Sequence, residues 1–146
     1  MTKRISIVTA LAEKFKVING TGSFKSDLFD NSYPKLKFWD EVQDFPCVYL
    51  VAGTEIREYH PSDFTWAFLN ISVKVYVKSE SEAQQQLEDL LNDLESVIDD
   101  NRVLVYDTTN NLATTEILIQ SITTDEGLLA PYGVGEINLQ VRYAHV

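Results

Sequence analysis

Residues 64–78 read Phe64-Thr65-Trp66-Ala67-Phe68-Leu69-Asn70-Ile71-Ser72-Val73-Lys74-Val75-Tyr76-Val77-Lys78. The odd positions are Thr65, Ala67, Leu69, Ile71, Val73, Val75 and Val77. The even positions begin with Phe64, Trp66 and Phe68 and continue with Asn70, Ser72, Lys74 and Tyr76. Successive side chains of a strand point to opposite faces, so this alternation puts the odd set on a buried face. At about 3.3 Å per residue the strand reaches roughly 50 Å, beyond the roughly 30 Å width of a small domain, so a bend, a bulge or a protrusion is expected. The three aromatics on the opposite face also need cover. Either the chain's own N-terminal helix or a neighbouring subunit could supply it, since aromatics dominate interface cores.

Downstream, Ser79 to Asp100 reads as a helix, with Ser79 or Ser81 as cap and Ala83, Leu87, Leu90, Leu91, Leu94, Val97 and Ile98 as its apolar stripe. Val103 to Tyr106 is a short strand, Asp107 to Thr114 a polar turn, and Glu116 to Thr123 a further strand. A loop from Asp125 through Pro131 to Gly135 leads to a closing strand in which Ile137, Leu139, Val141 and Tyr143 alternate with polar residues. Upstream, Cys47 to Ala52 is a short apolar strand that Gly53 ends, and Lys37 to Val42 a helical turn. Residues 24–37 are expected as an extended arm or hairpin, with a turn at Asp30-Asn31-Ser32. Residues 3–18 read as an amphipathic helix facing inward through Ile5, Val8, Ala12, Phe15 and Ile18, and Asn19-Gly20-Thr21-Gly22-Ser23 stops it. The order helix, strands, helix, strands gives an α+β class: one domain over residues 1–146, a mainly antiparallel sheet, and both helices on one side.

The 146 residues are 45% hydrophobic and 23% charged, enough apolar content to offset the entropy of ordering. Cys47 is the only cysteine, which excludes an intramolecular disulfide. No apolar run approaches the roughly 20 residues of a spanning helix. Lys3 and Arg4 begin the chain like a signal peptide, but Glu13, Lys14 and Lys16 interrupt it early, so the cytoplasm is the expected site of synthesis. A net charge of −10 disfavours nonspecific binding to nucleic acid or anionic membrane. The charge is uneven. Residues 1–37 carry seven bases against three acids, and the rest five bases against 19 acids. A basic third on an acidic body is suited to self-association.

Catalytic and metal patterns are weak. His60 and His145 stand far apart, and no HExxH or CxxC spacing occurs; His60 with Asp63 reads as a surface loop around Pro61. Cys47 lies inside an apolar strand and reads as an inert thiol. Gly20-Thr21-Gly22 and Gly133-Val134-Gly135 do not lead into helices, as a phosphate loop would require, and read as loop punctuation. Asp125 and Glu126 are the most suggestive carboxylates, and a turn explains them equally well.

Two stretches carry a resemblance: Phe38-Trp39-Asp40-Glu41-Val42 with Phe45-Pro46-Cys47-Val48-Tyr49-Leu50, and Ile122-Thr123-Thr124-Asp125-Glu126-Gly127-Leu128-Leu129-Ala130-Pro131-Tyr132-Gly133 before a strand ending Arg142-Tyr143. With the strand and acidic helix between them, the layout resembles the tail terminator (tail completion) proteins of long-tailed bacteriophages. The resemblance implies a structural virion protein with no catalytic residue and no cofactor. It implies a hexameric ring that caps the tail tube, ends polymerisation of the tube protein and presents a surface to the head connector. Candidate interface residues are then Lys25, Lys35 and Lys37 of the basic segment, set against helix acids such as Glu82, Glu88, Asp89 or Asp93, with Phe64, Trp66 and Phe68 as apolar contact. A head–tail joining protein, a small binding module and a hydrolase using Asp125 or Glu126 are the alternatives.

Overall fold

A computed structural model describes residues 2–145. Helix α1 spans Lys3–Phe15, strand β1 Ser32–Tyr33, β2 Cys47–His60, β3 Phe64–Lys78, helix α2 Ala83–Asp100, and strands β4 to β7 Val105–Asp107, Leu112–Ala113, Glu116–Thr124 and Tyr132–Ala144. The main sheet runs β1-β2-β3-β7-β6, antiparallel except for the short β1–β2 pair, and β4 and β5 form a separate ribbon. This is the expected α+β arrangement.

Strand β3 occupies the residues its alternation marks, and Leu69, Ile71, Val73 and Val75 are at most 1% exposed. They share one core with Leu87, Leu90, Leu91 and Leu94 of α2 and with Ile7, Leu11 and Phe15 of α1. Both helices therefore lie on the odd face of β3, and neither covers Phe64, Trp66 or Phe68.

The length of β3 is accommodated by its neighbour. Strand β2 does not stop at Gly53. It continues to His60 in a hairpin with β3, and its register slips between Ala52 and Glu55. A bulge bends the ribbon there, as extra residues in one strand do. The hairpin turns through Ser62 and Asp63, both with positive φ.

Helix α1 ends at Phe15, three residues earlier than expected, after a start at which the Thr2 hydroxyl accepts the Ile5 amide at 3.2 Å. Its buried stripe is Ile7, Val8, Leu11, Ala12 and Phe15, while Ile5 is 52% exposed. The same three-and-four spacing fits both sets, and packing selects the one centred on Leu11. Helix α2 begins at Ala83, not Ser79; the Ser79 hydroxyl accepts the Glu82 amide at 3.1 Å and shapes the entry turn.

Strand β7 begins at Tyr132, so Gly133 and Gly135 lie inside a strand, not a loop. A Cβ on Gly133 would sit 2.7 Å from Val77 Cγ2 and 3.0 Å from the Ala83 carbonyl oxygen; one on Gly135 would sit 3.1 Å from Leu87 Cδ1. These glycines let the N-terminal half of α2 approach the sheet.

Two further segments dock on the domain. In residues 24–36, the amides of Lys25 and Ser26 donate to the Asp93 carboxylate of α2 at 3.0 and 2.8 Å, Leu28 is fully buried, and Ser32–Tyr33 pair with Val48–Tyr49. Residues 37–46, with one 3-10 turn at Trp39–Glu41, cross one end of the sheet face opposite the helices.

Candidate functional site

The sheet face opposite the helices has three zones. At one end residues 37–46 clothe it: Trp39 and Phe45 stack on Tyr132 at 5.2 and 5.7 Å, the Tyr76 hydroxyl donates to the Lys37 carbonyl at 2.6 Å, and Cys47 is fully buried beneath. Burial pushes the Cys47 thiol up to about 12, so this is an inert sulfur. In the middle the face is polar and nearly neutral. The Ser72 hydroxyl donates to Asn138 Oδ1 at 3.2 Å, Asn138 Nδ2 donates to the Ser121 hydroxyl at 3.1 Å, and Lys74 pairs with Glu136 at 2.9 Å.

The far end is bare and aromatic. Phe64 meets Trp66 edge-on at 4.9 Å, and the Arg142 guanidinium lies 4.8 Å over the Trp66 ring. The buried Arg142 Nε has no hydrogen-bond partner among the described residues, so the ring, not a carboxylate, holds this cation. Ile56 stands opposite Phe68 and is 61% exposed. Phe64, Trp66 and Phe68 are half-buried, gathered into one patch that no helix or other strand among the described residues overlies.

Beneath this end a polar knot fixes the hairpin. Glu55, with only 5% of its side chain exposed, accepts from the Tyr143 hydroxyl and from Arg57 Nε at 2.8 Å, and Arg4 donates to the Gly53 carbonyl. Burial alone would raise the Glu55 carboxyl, but the Tyr143 and Arg57 donors and the nearby Arg57 and Arg4 charges outweigh it and hold the group below the usual carboxylate range. Burial and the Glu55 contact push the Tyr143 hydroxyl well up. Sequence reading missed Glu55 because nothing in the order of residues marks a bulge.

The three lysines do not form one surface. Lys25 is exposed in a shallow groove beside Gln86 and Asp89 of α2, whereas Lys35 sits 5.5 Å over the Tyr33 ring at the opposite flank, and Lys37 is half-buried where the chain turns onto the sheet. Asp93, one of the acids expected to await a neighbour's lysines, is 1% exposed and bound to its own chain's amides. A carboxylate three residues after Leu90 and one before Leu94 interrupts the apolar stripe, and that was the signal available in the sequence.

The remaining polar candidates have structural work. Asp125 accepts the amides of Leu129 and Val134 at 3.0 and 3.1 Å and so builds the loop before β7, with Glu126 and Gly127 at positive φ. His60 pairs with Glu58 at 2.7 Å, and Asp63 lies in the hairpin turn. Among the described residues no group of three or more His, Cys, Asp or Glu is placed to hold a metal ion, and no helix is long and apolar enough to cross a membrane.

The chain matches known proteins over its whole length. The sequence profile of the Bacteriophage Tail Tube Terminator Protein family matches residues 1–146. The chain belongs to the tail tube terminator family. It is 37% identical over 152 aligned positions to the tail tube terminator protein p142 of Escherichia phage T5, covering 98% of this chain and 94% of that one. A chain of the virion of a native gene transfer agent particle shares the fold at a TM-score of 0.61 and 9% identity, with 99% of this terminator and 100% of that chain aligned. A terminator is a structural component of the phage virion, so the features that matter on this one are the surfaces it offers to other subunits.

Proposed function

We propose that this chain closes into a ring on the end of the tail tube, stops further addition of the tube protein, and presents its outer surface to the head connector. A ring of six copies is the form the family resemblance implies. The whole-chain family match carries the reading. The patch of Phe64, Trp66 and Phe68 supports it, because a half-buried aromatic cluster that no described element overlies is what an assembling subunit presents to a neighbour. In this reading the patch supplies apolar contact, and exposed Lys35 with neighbouring Lys37 orients the approach. The work is structural and uses no catalytic group and no cofactor.

The test is to disrupt the gene in the parent phage and image the products by electron microscopy. Heads and tails left unjoined, with tails of abnormal length, support the proposal. Normal tails that still join heads overturn it. Binding of the purified chain to isolated tails, compared with empty heads, separates a tube cap from a head-side joining protein.

A further inference from the structure

The two lateral flanks of the domain are unlike, and their differences match. On one flank β1 pairs with β2 only at Val48 and Tyr49, so among the described residues no strand lies beside the outer edge of β2 from Leu50 to His60, although the Arg4 side chain donates to the Gly53 carbonyl there. On the other flank β6 pairs with β7 alone, and its outer edge is free over Glu116–Thr124. An unpaired edge presents backbone donors and acceptors that can take another strand. Each adjacent pair from β2 through β3 and β7 to β6 is antiparallel, so β6 runs opposite to β2. Placing the β6 edge of one copy against the β2 edge of another continues the same alternation, with both helix layers on the same side.

Charge is distributed the same way. Helix α1 packs against β1, β2 and β4, and α2 over β3, β7 and β6. Among the described residues Lys16 is the only base of residues 2–37 in an ion pair with a carboxylate, which leaves Lys3, Arg4, Lys14 and Lys35 without one on and around α1, with Lys3 reaching the Ala144 carbonyl of β7 and Lys25 lying apart beside α2. Residues 79–101 hold eight acids and no base, and of these only Asp99 has an ion-pair partner. Apolar surface matches as well. A groove of about 390 Å³ lies between α1 and the free β2 edge, lined by Ile5, Val8, Pro34, Leu50 and Ala52, with Arg4 among its polar lining. Opposite, Ile122 of β6, which pairs with the core residue Ile137 and so faces the helix side of the sheet, is 39% exposed.

We propose that the groove-bearing flank receives the β6–α2 flank of a second copy of this chain. The free stretch of β2 takes β6 as an added strand, Ile122 on the helix side of β6 enters the groove, and the acids of α2 face the bases of α1. The contact is head-to-tail, which closes into a ring when the rotation per subunit allows. This rests on the ring reading above and assigns its lateral contact, leaving the aromatic end of the sheet face for another neighbour in the assembly.

Two exposed positions test it, one per flank: Ile5→Glu and Ile122→Lys. Both side chains reach solvent in the single chain, and circular dichroism with urea unfolding checks that each variant folds as wild type does. The expected result by sedimentation is that wild type associates, each variant alone runs at the 16.6 kDa chain mass, and an equimolar mixture gives a species of twice that mass and nothing larger. The mixture pairs the one intact flank of each variant and then stops. Variants that assemble like wild type, a mixture that stays monomeric, or a wild-type chain that remains at 16.6 kDa at millimolar concentration would each overturn the flank contact. None of these touches the capping reading, which the tail phenotype of the disrupted gene decides separately.

Discussion

At the scale of single residues, the positions that matter most are carboxylates whose roles only the folded chain shows. Glu55 is held ionised by Tyr143, Arg57 and Arg4, with its carboxyl below the usual range. Such a group stabilises the fold above the unfolded carboxyl value of about 4.3, and the stabilisation is lost as pH falls through the lower folded value. Glu55→Gln should cost about 1.5–3 kcal/mol in urea unfolding at pH 7, the usual loss for a hydrogen bond to a charged group. The gap between variant and wild type should narrow as the buffer is taken to pH 3 and below. A gap that stays constant would show that the charge of Glu55 is not what holds the bulge. Asp93 gives a second prediction. Its carboxylate receives two backbone amides, so Asp93→Ala leaves both without their partner, at a cost of about 1–3 kcal/mol. Proteolysis of the native variant should then cleave first within residues 24–31, where the docked segment has lost its anchor. Asp93 could be read in the sequence as an acid on an apolar stripe, but Glu55 could not, because a bulge is created by pairing and has no local composition.

At the scale of elements, legibility followed periodicity. The alternation of β3 and the stripe of α2 were read with their core partners, since each pattern is long and an entire face must be buried. Leu91 is 2% exposed in that core, and Leu91→Ala should cost about 2–5 kcal/mol through lost burial and the cavity left behind. Strand ends were not legible. Gly53 and the Gly133–Gly135 pair look like terminators when only local propensity is considered, yet one lies in a bulge and the others lie under α2. The structure turns this into an expected outcome: Gly133→Ala should destabilise by about 1–3 kcal/mol by overpacking against Val77 and the backbone of Ala83, whereas alanine in an ordinary exposed strand position is close to neutral. A measured loss below half a kcal/mol would mean that α2 can back away from the sheet.

At the scale of the whole molecule, the family and the class could be read in the sequence, whereas the distribution of surfaces could not. The aromatics of residues 64–68 were visible as a group, but which face the helices would take was a question of packing. The lysines were visible as a cluster in the chain and are dispersed in space, with Lys25 beside α2 and Lys35 beside Tyr33. Magnitudes separate their roles in assembly. Exposed ion pairs contribute about 0–1 kcal/mol each and weaken with salt, while a buried aromatic anchor contributes about 2 kcal/mol or more. Trp66→Ala should therefore weaken binding of the terminator to isolated tails at every salt concentration, and Lys35→Glu combined with Lys37→Glu should weaken it mainly at low salt, both read by cosedimentation. If Trp66→Ala instead unfolds the single chain, the aromatics serve its own stability. Finally, the sole cysteine lies under the flap of residues 37–46, fully shielded and with its proton firmly held. A thiol reagent can reach that sulfur only when the flap lifts. The rate at which Cys47 is modified is therefore a built-in clock for how often that end of the domain opens, and comparing free subunits with assembled tails would time how far docking into the virion locks the flap shut.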